Sequence, residues 1–182
     1  ELLNDLREFN ECKNASKRVY CLQPLAVVSL EKNMYCVLDG QQRLTTLYLL
    51  YLYLNGQPPY TFEYERDIED NPQMSRSEYI KNIVSEANID FYYIYNAYHH
   101  ISAVFNQWVK NSCDSENVED MKNKLDTIKQ SFRDLLGRRR DEKSIQVIWY
   151  EVASSKRYDV FRNLNSGKIH LTNTDLIKAL LL

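Results

Sequence analysis

A chain of 182 residues with 44% hydrophobic and 26% charged residues can build a sizeable core, and this balance excludes the apolar-poor, highly charged pattern of a disordered chain. A formal net charge of -2 excludes a general basic field for nucleic acid or an anionic membrane, so any DNA contact must be local. With only 4 Gly and 4 Pro, turn signals are too few for a sandwich of many short strands, and no run of about 18 apolar residues offers a membrane span.

Leu2, Leu3, Leu6 and Phe9 recur near helical spacing and predict a short amphipathic helix ending around Lys13-Asn14. Residues 25–30 and 34–38 are apolar runs on either side of the turn Glu31-Lys32-Asn33, which predicts a hairpin whose second strand delivers Asp39-Gly40. Residues 41–54 contain no breaker and are apolar on nearly every side, so they should form a central, buried helix. Asn55-Gly56 followed by Pro58-Pro59 ends it. Residues 60–65 alternate like a strand. Residues 75–87, 90–111 and 115–136 carry helical periodicity, each introduced by a Ser or Asp that can cap it. After the charged loop GRRRDEK, residues 145–152 read as a last strand, and two short helices flank Asn165-Ser166-Gly167.

The expected fold class is therefore α+β. A small mixed unit spans residues 1–66, and a mainly helical region covers 67–182 with a strand returning near 145–152. Cys12, Cys21, Cys36 and Cys113 form no CxxC pair and no zinc spacing, which fits reduced thiols in a cytoplasm. Both ends of the chain fall within helical patterns, so it reads as a piece of a larger protein.

The stretch VLDGQQRLT carries the strongest chemistry. A strand, a glycine turn and a helix start make an anion cradle, because the first helical N–H groups are unpaired and the helix dipole is positive there. Gly40 lets the backbone approach a phosphate closely, Arg43 supplies a permanently charged two-pronged donor, and Gln41 and Gln42 add neutral donors. The structural alternative has Asp39 capping the helix, Gly40 supplying an unusual backbone angle and Arg43 pairing with a distant carboxylate. Against it stands the position of Arg43, since a cation in the first helical turn opposes the dipole and calls for an anion.

VLDGQQRLTTLYLL, taken with the later FRNLNSGKIHLTNTDLIKALLL, closely resembles the DGQQR-signature family of bacterial proteins, which includes the N-terminal domain of GmrSD-type, modification-dependent restriction enzymes. The resemblance implies a ParB/sulfiredoxin-like unit in which a G-x-x-R turn, here Gly40-Gln41-Gln42-Arg43, binds nucleotide phosphates. It makes Gly40, Gln41, Gln42, Arg43 and Thr45 the expected phosphate-binding residues and Asp39 the expected catalytic one. It also implies a nucleoside triphosphate with Mg²⁺, hydrolysis of that nucleotide, DNA as a target of the whole protein, and a separate C-terminal HNH-type nuclease domain or subunit. The chain departs from the family at its start, where an I-P-x-Y-Q-R segment is expected and nothing matches.

In the second motif, Thr172 and Asp175 are spaced like a capping box, and Asn165 and Gly167 suit a turn. Packing and an Asp175–Lys178 pair explain much of it. The functional reading brings Asn165, Lys168, Asp175 or Lys178 to the DGQQR turn, with a lysine on phosphate and a carboxylate holding Mg²⁺ beside Asp39. Arg138-Arg139-Arg140 is followed at once by Asp141-Glu142 and reads as a solvated loop. Adjacent His99 and His100 point about 100° apart on a helix and form no metal pair. Two function classes follow: a nucleotide-binding, NTP-hydrolysing sensor of a restriction system, or a non-catalytic DNA-binding adaptor whose turn grips a DNA phosphate.

Overall fold

In the computed structural model the described residues are 2–12, 18–31, 33–62, 89–113, 117–137 and 143–166. Among them are five α-helices and one three-stranded sheet, an α+β fold with a helical extension, as the sequence predicts. The residues group into two compact units, one of 1–20 with 42–146 and one of 21–41 with 147–182. The domain boundary expected near residue 66 lies outside the described residues, as does the helix expected over 75–87.

The first unit is helical. Helix α1, Leu2–Glu11, buries Leu6 and Phe9, one face of its apolar stripe. Its last carbonyls are satisfied by a cation from afar: the Lys143 ammonium donates to the carbonyls of Asn10 (2.9 Å) and Cys12 (2.7 Å) and lies 4.8 Å above the Phe9 ring. Positive charge at a helix C-terminus meets the negative end of the dipole.

Helix α2, Gln41–Asn55, is the axis of the core. It buries Tyr48, Leu49, Leu50, Leu52 and Leu54, consecutive enough to point in every direction, which only a helix wrapped on all sides can sustain. Around it pack Leu6 of α1, Ile101, Phe105 and Trp108 of α3 (Ile89–Ser112), and Phe132 of α4 (Val118–Gly137). Phe105 and Phe132 meet edge to face at 5.1 Å, while Trp108 stacks on Phe132 at 5.6 Å. Such contacts add to the burial of three large rings. Helix α4 is capped by Asn117, whose side-chain oxygen accepts the N–H of Glu119 at 3.0 Å.

The C-terminus of α2 is closed twice. Gly56 adopts the left-handed φ of 71° and its N–H returns to the Leu52 carbonyl at 2.8 Å, the cap expected of Asn55-Gly56. The Arg133 guanidinium of α4 then donates to the Leu54 carbonyl from both Nε (2.9 Å) and Nη2 (2.6 Å). Residues 60–62 do not form the expected strand. They lie back along α2, with the Tyr60 hydroxyl donating to the Leu44 carbonyl at 2.6 Å and the Tyr60 and Phe62 rings meeting Tyr48 at 5.7 and 4.8 Å. Alternating aromatic residues suit a helix groove as well as a sheet face, and burial against α2 decides the outcome here. Residues 63–65 are outside the described residues.

The second unit carries most of the sheet, in the order β2-β1-β3. Strand β1, Val19–Glu31, begins six residues before the expected hairpin; β2 is Met34–Asp39, and Asn33 closes the turn at φ 65°. The two are antiparallel, with Val27 opposite Val37, Val28 opposite Cys36 and Ser29 opposite Tyr35. Among the described residues the pairing of β1 with β2 runs from Ala26 to Glu31. Strand β3, Ser144–Glu151, matches the expected last strand and is flanked by bonds from Ser144 N–H to the Arg18 carbonyl and from Val152 N–H to the Val27 carbonyl, both 2.8 Å. These advance together along both strands, so β3 runs parallel to β1. Ala26, Val28, Leu38 and Val152 form a small core, joined by Val160 of α5, Arg157–Ser166.

Candidate functional site

The DGQQR stretch sits where the sheet hands the chain to α2. Asp39 is the last residue of β2 and pairs across the ladder with Ala26. Gly40 alone separates strand from helix, is buried, and holds a φ of 98°. Side chains with a Cβ rarely adopt that angle, so the sharp reversal depends on glycine. Gln41 then opens α2, and the N–H groups of the first helical turn follow in sequence without carbonyls of their own helix to bond.

The side chains divide by environment. Gln41 turns its amide back over Gly40 and donates from Nε2 to the Val37 carbonyl of β2 at 3.2 Å. Gln41 and Gln42 are both exposed, and the Gln42 backbone carbonyl accepts the Thr46 hydroxyl at 2.9 Å. Asp39, Arg43 and Thr45 are half-buried, and each has interactions within the protein. The chain passes from one compact unit to the other between Gln41 and Gln42, so the candidate residues are neighbours along one continuous backbone stretch.

Of the second motif, Asn165 has its backbone in the last turn of α5, whereas Lys168, Asp175 and Lys178 lie outside the described residues, as do Arg138-Arg139-Arg140. His99 and His100 are exposed on α3, where His99 packs 4.2 Å from the Tyr95 ring. Among the described residues no group of three or more His, Cys, Asp or Glu side chains comes together. A Mg²⁺ ion carried by phosphates needs only one or two carboxylates from the protein, a donor set that Asp39 fits; a metal held by protein groups alone would need more.

Three contacts near the turn were not legible from residue types alone. The Gln41–Val37 bond, the Tyr60 hydroxyl on Leu44 and the Tyr48 ring between Tyr60 and Phe62 all need the helix and its flanking segments already placed. The only sequence signal was the run of tyrosines itself.

Burial raises the pKa values of three α2 phenols. Desolvation lifts Tyr48 and Tyr51; for Tyr53 desolvation is again the largest effect, opposed by a hydrogen bond with Ser102 and supplemented by repulsion from Tyr98. These groups stay neutral at physiological pH and offer the turn no charge. No helix among the described residues is long and apolar enough to cross a membrane.

Compared with known proteins, residues 1–182 match the family described as GmrSD restriction endonuclease, N-terminal domain. No curated protein and no solved structure matches the chain. The match spans every residue from the first helix through both sequence motifs, and the chain belongs to the family of GmrSD restriction endonuclease N-terminal domains.

Proposed function

We propose that this domain binds a nucleoside triphosphate at the turn from Asp39 to Arg43, hydrolyses it, and so acts as the sensor of a modification-dependent DNA restriction protein. The observation that carries the reading is Gly40: a buried residue at φ 98° that turns a strand directly into a helix start. A reversal of this kind brings the backbone N–H groups of a helix start to the end of a strand, which suits an anion such as phosphate, and the family match supports the restriction context.

In this reading the N–H groups at the start of α2 bind phosphate oxygens, with the helix dipole favouring their charge. The Arg43 guanidinium forms charge-assisted bonds to the same group, and Thr45 adds a hydroxyl donor. Asp39 would supply a carboxylate at the edge of the turn to a Mg²⁺ ion brought in with the phosphates, whose charge such an ion would offset. Asn165, Lys168, Asp175 and Lys178 extend the site. Cleavage of DNA belongs to a C-terminal nuclease domain or partner subunit. The four free cysteines suit work in the cytoplasm.

A thermal-shift comparison on the full-length protein tests this. A ligand that binds the native state raises apparent stability. ATP, GTP, CTP and UTP, each with Mg²⁺, are compared with duplex DNA. Stabilisation by at least one triphosphate is expected; stabilisation by DNA alone would transfer the turn to the adaptor class.

A further inference from the structure

Among the described residues β3 has β1 on one side and no strand on the other. Its end within the second unit, residues 147–151, carries Ile148, Trp149 and Tyr150 at 52%, 48% and 52% exposure. Neighbouring strand residues point to opposite faces, so this end is open on both faces as well as along its edge. Trp149 is exposed yet held, its ring meeting Tyr35 of β2 edge to face at 5.0 Å. Soluble proteins blunt such edges with short strands, charges, prolines or bulges. The other edge strand follows that rule: β2 has 6 residues, and two register shifts interrupt its ladder with β1. By contrast β3 has 8 residues and contains no charge, glycine or proline from Ser144 to Tyr150.

We propose that residues 147–151 of β3 pair antiparallel with the same strand of a second copy of this chain, joining two three-stranded sheets into one. The strand's match to itself is what selects a second copy over an unrelated strand. Copies related by a two-fold axis perpendicular to the sheet place opposite each other the residues equally far from the axis, with both side chains on one face. An axis at Trp149 sets the two Trp149 side chains against each other. It also sets Ile148 opposite Tyr150 of the second copy, twice, on the other face. Each exposed apolar residue of the strand thereby gains an aromatic or aliphatic cross-strand partner. Glu151 is the only charged residue in the stretch; it faces Val147, and the two carboxylates fall at opposite ends of the pairing. The contact of Trp149 with Tyr35 orders the central ring beforehand, which lowers the cost of association. The surface includes no residue of the proposed phosphate turn, and the inference does not rest on the nucleotide reading.

In the full-length protein, analytical ultracentrifugation over roughly 1 to 200 µM follows the association by mass action. The parent is expected to dimerise. Ile148→Lys, which puts an edge charge against Tyr150 of the second copy, should raise the dimer dissociation constant at least about tenfold while circular dichroism stays parental. Cysteine substitutions read the register, because directly opposed antiparallel residues have Cα atoms about 4.5 to 5.5 Å apart, within reach of a disulfide. Trp149→Cys should form a covalent dimer under mild oxidation. Glu151→Cys, whose counterpart lies at the far end of the pairing, should form no more than the parent with its native cysteines. A parent that stays monomeric would overturn the second copy and assign the edge to a strand of another protein. Parental dissociation in Ile148→Lys, or equal cross-linking in the two cysteine variants, would overturn this pairing. If Ile148→Lys loses the parental circular dichroism, the cross-linking comparison alone decides.

Discussion

Arg43 and Tyr48, five residues apart on α2, show how differently polar atoms can be accommodated on one helix. Arg43 is half-buried and has interactions within the protein. Tyr48 is fully buried at 0% exposure, and its hydroxyl has no hydrogen-bond partner among the described residues. An unsatisfied buried hydroxyl carries a desolvation cost that its removal relieves, whereas the ring packed between Tyr60 and Phe62 contributes through burial. Tyr48→Phe should therefore leave stability unchanged or raise it by up to about 1 kcal/mol in urea unfolding. A loss of more than about 2 kcal/mol would mean that the hydroxyl has a partner of value in the folded protein. The glycines were the residues most readable from the sequence alone: Gly40 and Gly56 both adopt the positive φ that their positions at a helix start and a helix end suggest.

Helix α2 is the element on which both the core and the candidate site depend. Its existence and burial follow from a mostly apolar stretch without Gly or Pro between two glycines, and Gln41–Asn55 agrees closely with the expected 41–54. The hairpin was legible too, although β1 starts earlier than expected because Val19 to Pro24 lacks the continuous apolar character used to recognise it. Residues 60–62 show the limit of periodicity: the same alternation fits a sheet or a groove, and only tertiary contact with α2 chooses. The cations that close α1 and α2, Lys143 and Arg133, act from positions far along the chain and left no local signature. The tyrosines of α2 give this element a pH signature. Tyr48, Tyr51 and Tyr53 have raised folded pKa values, mainly from burial, so the folded state holds their protons more tightly than the unfolded chain does. Their contribution is fully present below about pH 10, the unfolded value, and is lost as pH rises through the folded values. Urea midpoints should fall steeply above about pH 10, and Tyr51→Phe should flatten that fall. An identical decline in the variant would show that Tyr51 does not participate.

For the whole molecule, the family match makes this α+β domain one of the GmrSD restriction endonuclease N-terminal domains, and the proposed phosphate site is the glycine turn before α2. The fold class was legible because helices dominate a chain with few breakers; the segments 63–88 and 167–182, which include most of the second motif, are outside the described residues. A sensor reading assigns the nucleotide to this domain and DNA cleavage to another, so removing the phosphate contact should silence hydrolysis while leaving the fold intact. Arg43→Ala in the full-length protein, with triphosphate binding measured by calorimetry beside a thermal melt, tests that claim most directly. The account predicts at least about tenfold weaker binding, the loss of a charge-assisted bidentate contact, with a melting temperature close to that of the parent. Binding and hydrolysis at the parental level would contradict it.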